Sequence, residues 1–588
     1  MWGTGPLANS SVQVSSDFEL RYHQNDDLVT IPRADGSTYE FADNPAVLDY
    51  FEQVQRFNLL LSREGLSIGA QVDQGAFFAN KYVLDGEEVL ERPLYDETQF
   101  ISPWDSALVR LEKAYVQRRW DHVELTLGDT YASFGRGIAL NMVKNTNIDI
   151  DTSIRGAKLD LFAGDVAFQL VSGLSNTQDV SQDNPNLLIT RDVQHMVTGM
   201  RLDHYAVGPL QVGAHGVIYR FGREEERDQP PGTRYDGDLD AVVSGADTSF
   251  SALGVDWAFE GDLFGYRSPE MIGSETQDSL LGWAAYGSAA LYPGKTTILV
   301  EGKATKDTER LMTFSTPENW EVANTPTLEY EMVITEDSAA TVNSNEVVGG
   351  RVRVDYALKP GELTPYTSVA GFRDGEVGGL HFNRTAETVG HLIGGVEWVK
   401  GRHVVIVNTG FRVDVRDELG GELNDPAAFD PFVGFAPQSD LGRADRMAHL
   451  DAEVQIPIGP EDGIEIALNG RRFWWGENEI QQEDFLEMNN ALGWHRGDQW
   501  VFLLYQDFTD NPVITSRGNI PIDVPATSEE APDDQYLYGA GEVIWHPNSA
   551  STVRLFYGAY KAGIRCSGGQ CRSLPGFEGG RVSWQTVF

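Results

Sequence analysis

The segment Gly580–Phe588 alternates with a period of two. Its odd-numbered residues, from Arg581 to Val587, are predicted to face one side of a strand, and its even-numbered residues to face the other. The even positions are Val582, Trp584, Thr586 and Phe588. Such alternation indicates a strand with one largely apolar and one wet face, and it is incompatible with a helix.

The same period recurs along the whole chain, in Ser11–Tyr22, Leu210–Tyr219, Arg351–Tyr356, Ala448–Ile456 and Thr552–Tyr560. Most of these stretches reach about nine residues, the length of a tilted membrane strand, whereas strands of soluble sheets usually have about five or six. Their polar faces are predicted to line an interior. The charged residues on those faces are Asp17, Glu19, Arg21, Arg351, Arg353, Asp355, Asp451, Glu453 and Arg554.

Apolar runs are short, as in Trp500–Tyr505, and none approaches the roughly 20 residues that a membrane helix needs. The sequence therefore excludes helical membrane spans. A barrel escapes this limit because its lipid-facing residues alternate with polar ones, so a hydrophobic content of 41% is sufficient.

Acidic residues outnumber basic ones, 88 against 45, which gives a formal net charge of -43. Phosphate backbones repel such a chain, so nucleic-acid binding is excluded.

Short turns alternate with long polar stretches along the chain. Eleven short segments carry the Gly, Pro, Asn and Asp residues that tight turns require. They are 63–65, 119–122, 163–165, 206–209, 260–262, 292–295, 359–362, 400–402, 459–463, 495–498 and 546–549. The long stretches include 23–49, 80–106, 221–249, 304–345, 410–446 and 506–534. Short connections on one side and long ones on the other are typical of a transmembrane barrel.

A strand that ends the chain on an aromatic residue resembles the last strand of bacterial outer-membrane β-barrels. The resemblance implies that Val582, Trp584 and Phe588 form the signal read by the barrel assembly machinery, and that the chain is integral to the outer membrane and contacts its lipid. It also implies porin-like or transporter-like barrels as relatives. A soluble all-β protein, a propeller or a β-helix, is the alternative, although no repeat of fixed period is present.

Eleven turns imply about 24 strands, with a range of 20–26, in a single antiparallel all-β barrel with short periplasmic turns and long extracellular loops. Residues 1–10 are predicted to be a short periplasmic tail and 11–588 the barrel, without a separate plug domain. Residues 1–6 lack the basic and apolar regions of a signal peptide, so a leader is expected to have been removed. Because trimeric porins usually have fewer strands, we expect a monomeric barrel.

The segment Leu127–Gly156 is glycine-rich, aromatic and charged, and it resembles a segment of large outer-membrane barrels from bacteroidete-like and myxobacterium-like bacteria. Gly135 and Gly137 permit a sharp bend. If residues 130–153 fold into the lumen, a set of charged residues is expected to line a constriction. These residues are Arg136, Lys144, Asp149, Asp151 and Arg155. An ordinary outward loop is the alternative.

The two cysteines, Cys566 and Cys571, are separated by Ser-Gly-Gly-Gln, which favours a disulfide in an oxidising compartment over free thiols. The run Asp236-Gly-Asp238-Leu-Asp240 lacks the glycine and glutamate that complete a helical calcium loop. This run is therefore interpreted either as a looser, loop-borne calcium site or as a solvated acidic loop. No other cofactor is implied.

Catalytic constellations are not apparent. The 11 histidines are scattered and no Gly-x-Ser-x-Gly elbow occurs. His215, His391 and His449 fall on predicted inner faces, where a polar wall is a sufficient role for each. Gly294-Lys295-Thr296 is a turn rather than the end of a phosphate loop, because Ala289 stands where a glycine would be needed.

Two functions fit these observations. The first is a channel for polar solutes or ions, gated by its own loops, in which rings of lumen charges set ion preference. The second is a structural, secretion or surface-assembly barrel that anchors a partner or is filled by one, such as a lipoprotein or periplasmic protein. The sequence favours the first without deciding between them.

Overall fold

The computed structural model describes most of the chain's strands. The described residues are 10–24, 46–84, 87–89, 108–142, 144–145, 150–176, 195–207, 210–220, 240–267, 279–306, 308, 347–374, 388–416, 443–477, 481–509, 536–560, 563–567, 570–574 and 577–588. Within them the secondary structure is β-strand throughout, with turns between strands. None of the described residues lies in a helix of the length and apolarity that crossing a bilayer would require.

The strands follow one another along the chain with few breaks. The first fifteen are β1 (Ser10–His23), β2 (Ala46–Arg63), β3 (Leu66–Leu84), β4 (Glu87–Val89), β5 (Leu108–Arg119), β6 (Val123–Thr130), β7 (Ala132–Phe134), β8 (Leu140–Met142), β9 (Lys144–Asn145), β10 (Ile150–Asp151), β11 (Ser153–Ala163), β12 (Val166–Asn176), β13 (Met196–Val207), β14 (Leu210–Arg220) and β15 (Asp240–Ala252). The others are β16 (Val255–Arg267), β17 (Ser279–Leu291), β18 (Thr296–Lys306), β19 (Val347–Tyr356), β20 (Leu363–Asp374), β21 (Thr388–Lys400), β22 (His403–Arg416), β23 (Arg443–Pro457), β24 (Asp462–Glu477), β25 (Gln481–Arg496), β26 (Trp500–Thr509), β27 (Tyr536–Asn548), β28 (Ser551–Tyr560), β29 (Gly563–Ser567), β30 (Gln570–Leu574) and β31 (Phe577–Val587).

Twenty-four of these strands form one closed antiparallel barrel, which confirms the predicted fold and strand number. Closure is made by the first and last strands: β1 pairs with β31 from Ser15 opposite Val587 to His23 opposite Gly579. β4 only extends the edge of β3, and the pairs β7–β8, β9–β10 and β29–β30 lie outside the barrel sheet.

The outer face of the barrel is apolar, and the exposed fraction of the side chain changes sharply from one residue to the next along a strand. Leu263 is 65% exposed whereas Phe264 is 1% exposed, and Ile218 is 55% exposed whereas Tyr219 is fully buried. Near the short turns the outer face carries stacked aromatic rings, such as Trp500 and Trp545 with centroids 5.5 Å apart.

An apolar exterior bordered by aromatic rings matches the hydrocarbon core and interface of a bilayer. The closed barrel with this exterior is an integral protein of the outer membrane, as predicted.

Ten of the eleven predicted turns fall at connections between consecutive barrel strands, but the turn at Glu260–Asp262 is wrong. Both carboxylates lie inside β16, and the real turn is Leu253–Gly254, with φ of 57° and 76°. Two positive φ values are what a two-residue hairpin turn requires. A leucine rarely adopts that conformation, so its side chain is no cue to a turn, whereas Glu-Gly-Asp imitates turn chemistry.

The six predicted long stretches are too long at their edges. Residues 46–49, 80–84 and 240–249 belong to strands, as do 304–306, 410–416, 443–446 and 506–509. Polar residues at the ends of these strands resemble loop sequence because the strands continue beyond the apolar band.

Candidate functional site in the barrel lumen

The residues that follow β6 fold back against the inner wall as a small hairpin, β7–β8, which we call the inward hairpin (residues 131–142). It pairs Ala132 with Met142 and Phe134 with Leu140. Gly135 and Gly137 adopt φ of 56° and 91° at its tip. A Cβ at Gly135 would collide with the Glu260 carboxylate of β16, so the backbone approaches the wall at a point that glycine makes accessible.

The inward hairpin buries an apolar face against the barrel wall. Phe134, Leu140 and Met142 are at most 1% exposed and Ile138 is 4% exposed. They form one cluster with inner-wall side chains from β11 to β21. The wall members are Ile154, Val171, Val197, Val217, Tyr219, Ala241, Val243, Phe264, Tyr266, Ala284, Tyr286, Val347, Phe372 and Val389. Burial of each large side chain contributes about 1.5–3 kcal/mol, so the hairpin is firmly held in place.

Polar contacts fix the hairpin's tip and edges. The backbone N–H of Arg136 donates to Glu260 Oε2 at 2.6 Å, and the Arg136 guanidinium lies 4.0 Å from the centre of the Tyr286 ring. The Tyr219 hydroxyl donates to the carbonyl of Ala139. Lys113 Nζ donates to the Tyr131 hydroxyl at 2.7 Å. The segment is therefore tied to wall strands on both of its sides.

Residues predicted to form the constriction are distributed among several places. Arg136 lies at the tip of the inward hairpin. Lys144 follows in β9, opposite Asp151 of β10, and its charge acts on Asp17 of β1. Asp149 and the side chain of Asp151 lie outside the described residues.

Arg155 does not join this group. It lies on the opposite face of β11 from the buried Ile154, and its Nε donates to Asp129 Oδ1 at 3.1 Å. Its Nη2 donates to the carbonyl of Glu112 at 2.7 Å, while Asp129 Oδ2 accepts from the N–H of Ala114 at 2.7 Å. Arg155 and Asp129 thus bridge β5 to β11, beyond the point where β5 and β6 stop pairing at Gly128.

The nine charged residues predicted to line the lumen occupy the face opposite the exposed apolar residues, where they interact with neighbours. Glu19 binds Arg21, and Arg351 binds Glu301. Arg353 binds Asp355 at 2.7 Å and Glu397 at 3.3 Å. The remaining interactions are those of Asp17 with Gln585, Glu453 with Gln455, Asp451 with His449 and Asn469, and the charge of Arg554 with Tyr505. At these positions the inner wall is therefore lined by ion pairs and hydrogen bonds.

A cluster that the sequence pattern does not predict lies just beneath the hairpin tip: His215 of β14 with Glu260 and Asp262 of β16. All three are at least nine-tenths buried, and one ligand atom from each lies within 4.8 Å of the others. His215 Nε2 is 2.6 Å from Asp262 Oδ1. Arg201 holds Asp247 and Asp203 alongside, with contacts of 2.7 Å and 2.6 Å.

A second histidine cluster lies further round the wall. His391 Nε2 is 3.1 Å from His449 Nε2, and His449 Nδ1 is 2.7 Å from Asp451 Oδ2. Asn469 Nδ2 donates to the other oxygen of Asp451. The two predicted lumen histidines therefore belong to a continuous hydrogen-bonded chain.

The sequence does carry a signal for the inward hairpin, in the wall strands rather than in the hairpin itself. Where the hairpin packs, these strands lose their alternation and carry apolar residues on both faces. Val217-Ile218-Tyr219 and Ala241-Val242-Val243 show this, as does Leu263-Phe264. A strand that is buried on both faces has a continuous apolar run. Such runs in a barrel indicate that something inside covers the wall.

Three further predictions concern the ends and loops. Val582, Trp584 and Phe588 lie on the outer face, and Phe588 pairs through its backbone with Val14. Cys566 stands directly opposite Cys571 in β29–β30, but both side chains lie outside the described part, so the disulfide stays a prediction. Asp236 and Asp238 of the calcium prediction also lie outside it, and Asp240 begins β15.

No protein-family profile and no curated protein sequence matches the chain. Several solved structures are similar to it. The siderophore receptor PirA from Pseudomonas aeruginosa has 9% identity and a TM-score of 0.42, covering 98% of this chain and 80% of that one. The copper transporter OprC has 9% identity and a TM-score of 0.43, and the alignment covers 99% of this chain and 80% of that one. The P pilus usher (PapC) translocation pore has 8% identity and a TM-score of 0.40, with 98% of this chain and 99% of that one covered. At these identities and TM-scores, the similarity says nothing about the activity of this barrel.

Proposed function

We propose that this chain is an outer-membrane channel for polar solutes or ions, in which the inward hairpin narrows the lumen. The observation that carries the proposal is the contrast along the inner wall. Apolar side chains line it where the hairpin packs, and ion-paired side chains such as Arg56 with Asp73 line it elsewhere. A charged lining is what a water-filled passage requires, and it would be costly in a dry core.

The size of the barrel supports this proposal. Barrels of 16–18 strands already leave an aqueous channel, and about 22 strands enclose a lumen that needs a plug to close it. Among the described residues, the segment that packs inside the barrel is the inward hairpin, and its apolar contacts run along one arc of wall, from β11 to β21. A segment of that size narrows a 24-stranded lumen rather than filling it.

The lumen charges support a modest cation preference. Because Arg351, Arg353 and Arg21 are each engaged by a carboxylate, they do not form a bare basic ring. Around His215, the four carboxylates of Asp203, Asp247, Glu260 and Asp262 outnumber the single guanidinium of Arg201, which binds only the first two. Excess carboxylate in a confined passage favours cations.

Single-channel conductance in a planar bilayer tests this proposal. The variant replaces residues 132–142 by a short Gly-Ser linker. The control carries the same kind of linker in place of Gly164–Asp165, a turn at the opposite end of the barrel. We expect steady openings from the native protein with a cation-selective reversal potential in a salt gradient. The variant should conduct several-fold more, and the control should behave as the native protein does.

Silence from both the native barrel and the hairpin variant, with folding verified by heat-modifiable electrophoretic mobility, would contradict a channel. That outcome would favour the alternative, a structural or secretion barrel that anchors a partner or is filled by one. Pull-down of a stoichiometric lipoprotein or periplasmic protein would then identify it. Size-exclusion chromatography with light scattering would test the monomeric state that we propose for either role.

A further inference from the structure

We propose that His215, Glu260 and Asp262 form a binding site for a divalent first-row transition-metal cation, with Zn²⁺ as the probe, between the inward hairpin and the barrel wall. The three side chains come from β14 and β16, the two strands that flank β15, and converge on one point, their ligand atoms lying within 4.8 Å of one another. The proposal does not depend on whether the barrel conducts.

Two buried carboxylate oxygens at this point lack partners. Glu260 Oε2 accepts the Arg136 N–H, but Glu260 Oε1 has no hydrogen-bond partner among the described residues. Asp262 Oδ1 contacts His215, but Asp262 Oδ2 is likewise without one. A buried, unsatisfied carboxylate oxygen is costly, and two of them beside an imidazole are the donor set of a metal site.

The excess of negative charge around His215 also favours a bound cation. Four carboxylates, those of Asp203, Asp247, Glu260 and Asp262, lie in this cluster with the guanidinium of Arg201 and the ring of His215. Arg201 is directed at Asp203 and Asp247, so it does not compensate the other two. Buried charges are tolerated when they are paired or when they coordinate metal.

Metal binding would replace the proton that His215 Nε2 shares with Asp262 Oδ1 at 2.6 Å and release it to solvent, which leaves the Nε2 lone pair facing the cation. On the other edge of the imidazole, Nδ1 lies 3.4 Å from Arg201 Nη1 and 3.7 Å from Asp247 Oδ2, both long for hydrogen bonds. No strong contact therefore commits Nδ1, and Asp247 stands where a metal-bound imidazole usually directs its second N–H. One nitrogen and two carboxylate oxygens at about 2.0–2.2 Å suit Zn²⁺, with water in the fourth position.

The site would also connect the hairpin to the wall. Glu260 uses one oxygen for the Arg136 N–H and keeps the other for the cation, and Gly135 lies directly against its carboxylate. A bound cation therefore fixes the side chain that holds the hairpin tip. We expect metal to protect the hairpin as well as to bind.

The test measures zinc bound by the full-length barrel in detergent, after chelator treatment, by elemental analysis and by competition with a fluorescent chelator. Magnesium at millimolar concentration and physiological salt suppress weak binding to acidic surfaces. The variants are E260Q, D262N and H215N. D451N is the matched control, since Asp451 is also a lumen carboxylate in contact with a histidine.

We expect about one equivalent of zinc in the native barrel, at least a tenfold loss of affinity in each of the three variants, and no change in D451N. Zinc should also slow tryptic cleavage after Arg136 in the native protein and not in E260Q. Absence of a stoichiometric zinc in the folded native barrel would overturn the proposal. Equal binding by all five proteins would overturn it too, because the metal would then lie elsewhere on the surface.

Discussion

The inner wall holds two histidine–carboxylate clusters that differ in how fully their carboxylates are hydrogen-bonded. At His449, both oxygens of Asp451 have donors, from His449 itself and from Asn469. At His215, Glu260 and Asp262 each keep a buried oxygen without a partner among the described residues. The carboxylate is therefore fully hydrogen-bonded in one cluster, where the unpartnered atom is the amide oxygen Asn469 Oδ1, and the two carboxylates are incompletely hydrogen-bonded in the other.

The cluster with unpartnered carboxylate oxygens is the one beneath the inward hairpin. There the Arg136 N–H donates to Glu260, and the Gly135 backbone lies against the same carboxylate. Partly satisfied buried networks are costly, so they persist where something else compensates them. The hairpin supplies one donor and a cation would supply the rest. The contrast indicates that the hairpin, the carboxylates and the proposed cation act as one unit.

The largest expected effect comes from removing the apolar anchor of the hairpin. Phe134→Ala deletes a fully buried ring and should destabilise the hairpin's packing by about 3–5 kcal/mol. The rate of tryptic cleavage after Arg136, followed by mass spectrometry, should rise about a hundredfold or more because local opening becomes that much easier. Zinc affinity at the His215 cluster should fall with it.

Phe57→Ala is the control for this variant, since Phe57 is 42% exposed on the outer face of β2. It should leave the cleavage rate after Arg136 unchanged. If Phe134→Ala also leaves that rate unchanged, the hairpin is not held by its apolar face and does not distinguish the His215 cluster from the His449 cluster.

A smaller effect is expected at the hairpin tip. Gly135→Ala places a methyl group against the Glu260 carboxylate at φ 56°, and should cost about 2–3 kcal/mol from strain and displacement together. Gly164 has a similar φ of 61° with nothing within 4 Å of its Cβ position, so Gly164→Ala isolates the strain alone. Both variants are compared by urea unfolding and by cleavage after Arg136.

We expect Gly135→Ala to speed the cleavage and to weaken zinc binding, whereas Gly164→Ala should do neither. Equal behaviour of the two alanines would show that the close approach of Gly135 to Glu260 is unimportant. The positioning of that carboxylate by the hairpin would then have to be abandoned.

The barrel could be predicted from sequence because its physics is local and repeated. The period-two alternation of strands and the Gly, Pro, Asn and Asp residues of turns recur along the chain. A turn predicted at the wrong place, such as Glu260–Asp262, therefore changes the predicted number of strands little. The His215 cluster depends on strands brought together only by closure and register, with His215 facing Gly245 and Gly245 facing Asp262. Nothing within β14 or β16 alone records that arrangement.

The inward hairpin could be predicted in part. Gly135 and Gly137 indicate a bend, but the direction of that bend depends on apolar wall residues contributed by β11 to β21. Arg155 shows the limit of proximity in sequence. It belongs to the same glycine-rich segment, Leu127–Gly156, as the hairpin, yet the parity of β11 turns it to the face opposite Ile154, where it binds Asp129. Residue spacing within a loop cannot supply that parity.

The smallest expected effect compares the two clusters directly, in chelator-treated protein. Asp451→Asn removes a carboxylate whose two oxygens both accept hydrogen bonds, and should destabilise the barrel by about 1–2 kcal/mol. Asp262→Asn keeps an oxygen that can accept from His215 and relieves the repulsion among the carboxylates of an acidic cluster, and should be neutral or slightly stabilising without metal. Urea unfolding in lipid vesicles measures both.

Adding zinc should separate the variants further. The native barrel and Asp451→Asn should gain stability in proportion to the bound metal, and Asp262→Asn should gain none, because binding to the folded state alone stabilises it. Equal destabilisation of both variants without metal would mean that Asp262 is as well satisfied as Asp451. The difference between the clusters would then be one of shape only, and the unpartnered oxygens beneath the hairpin would need no cation.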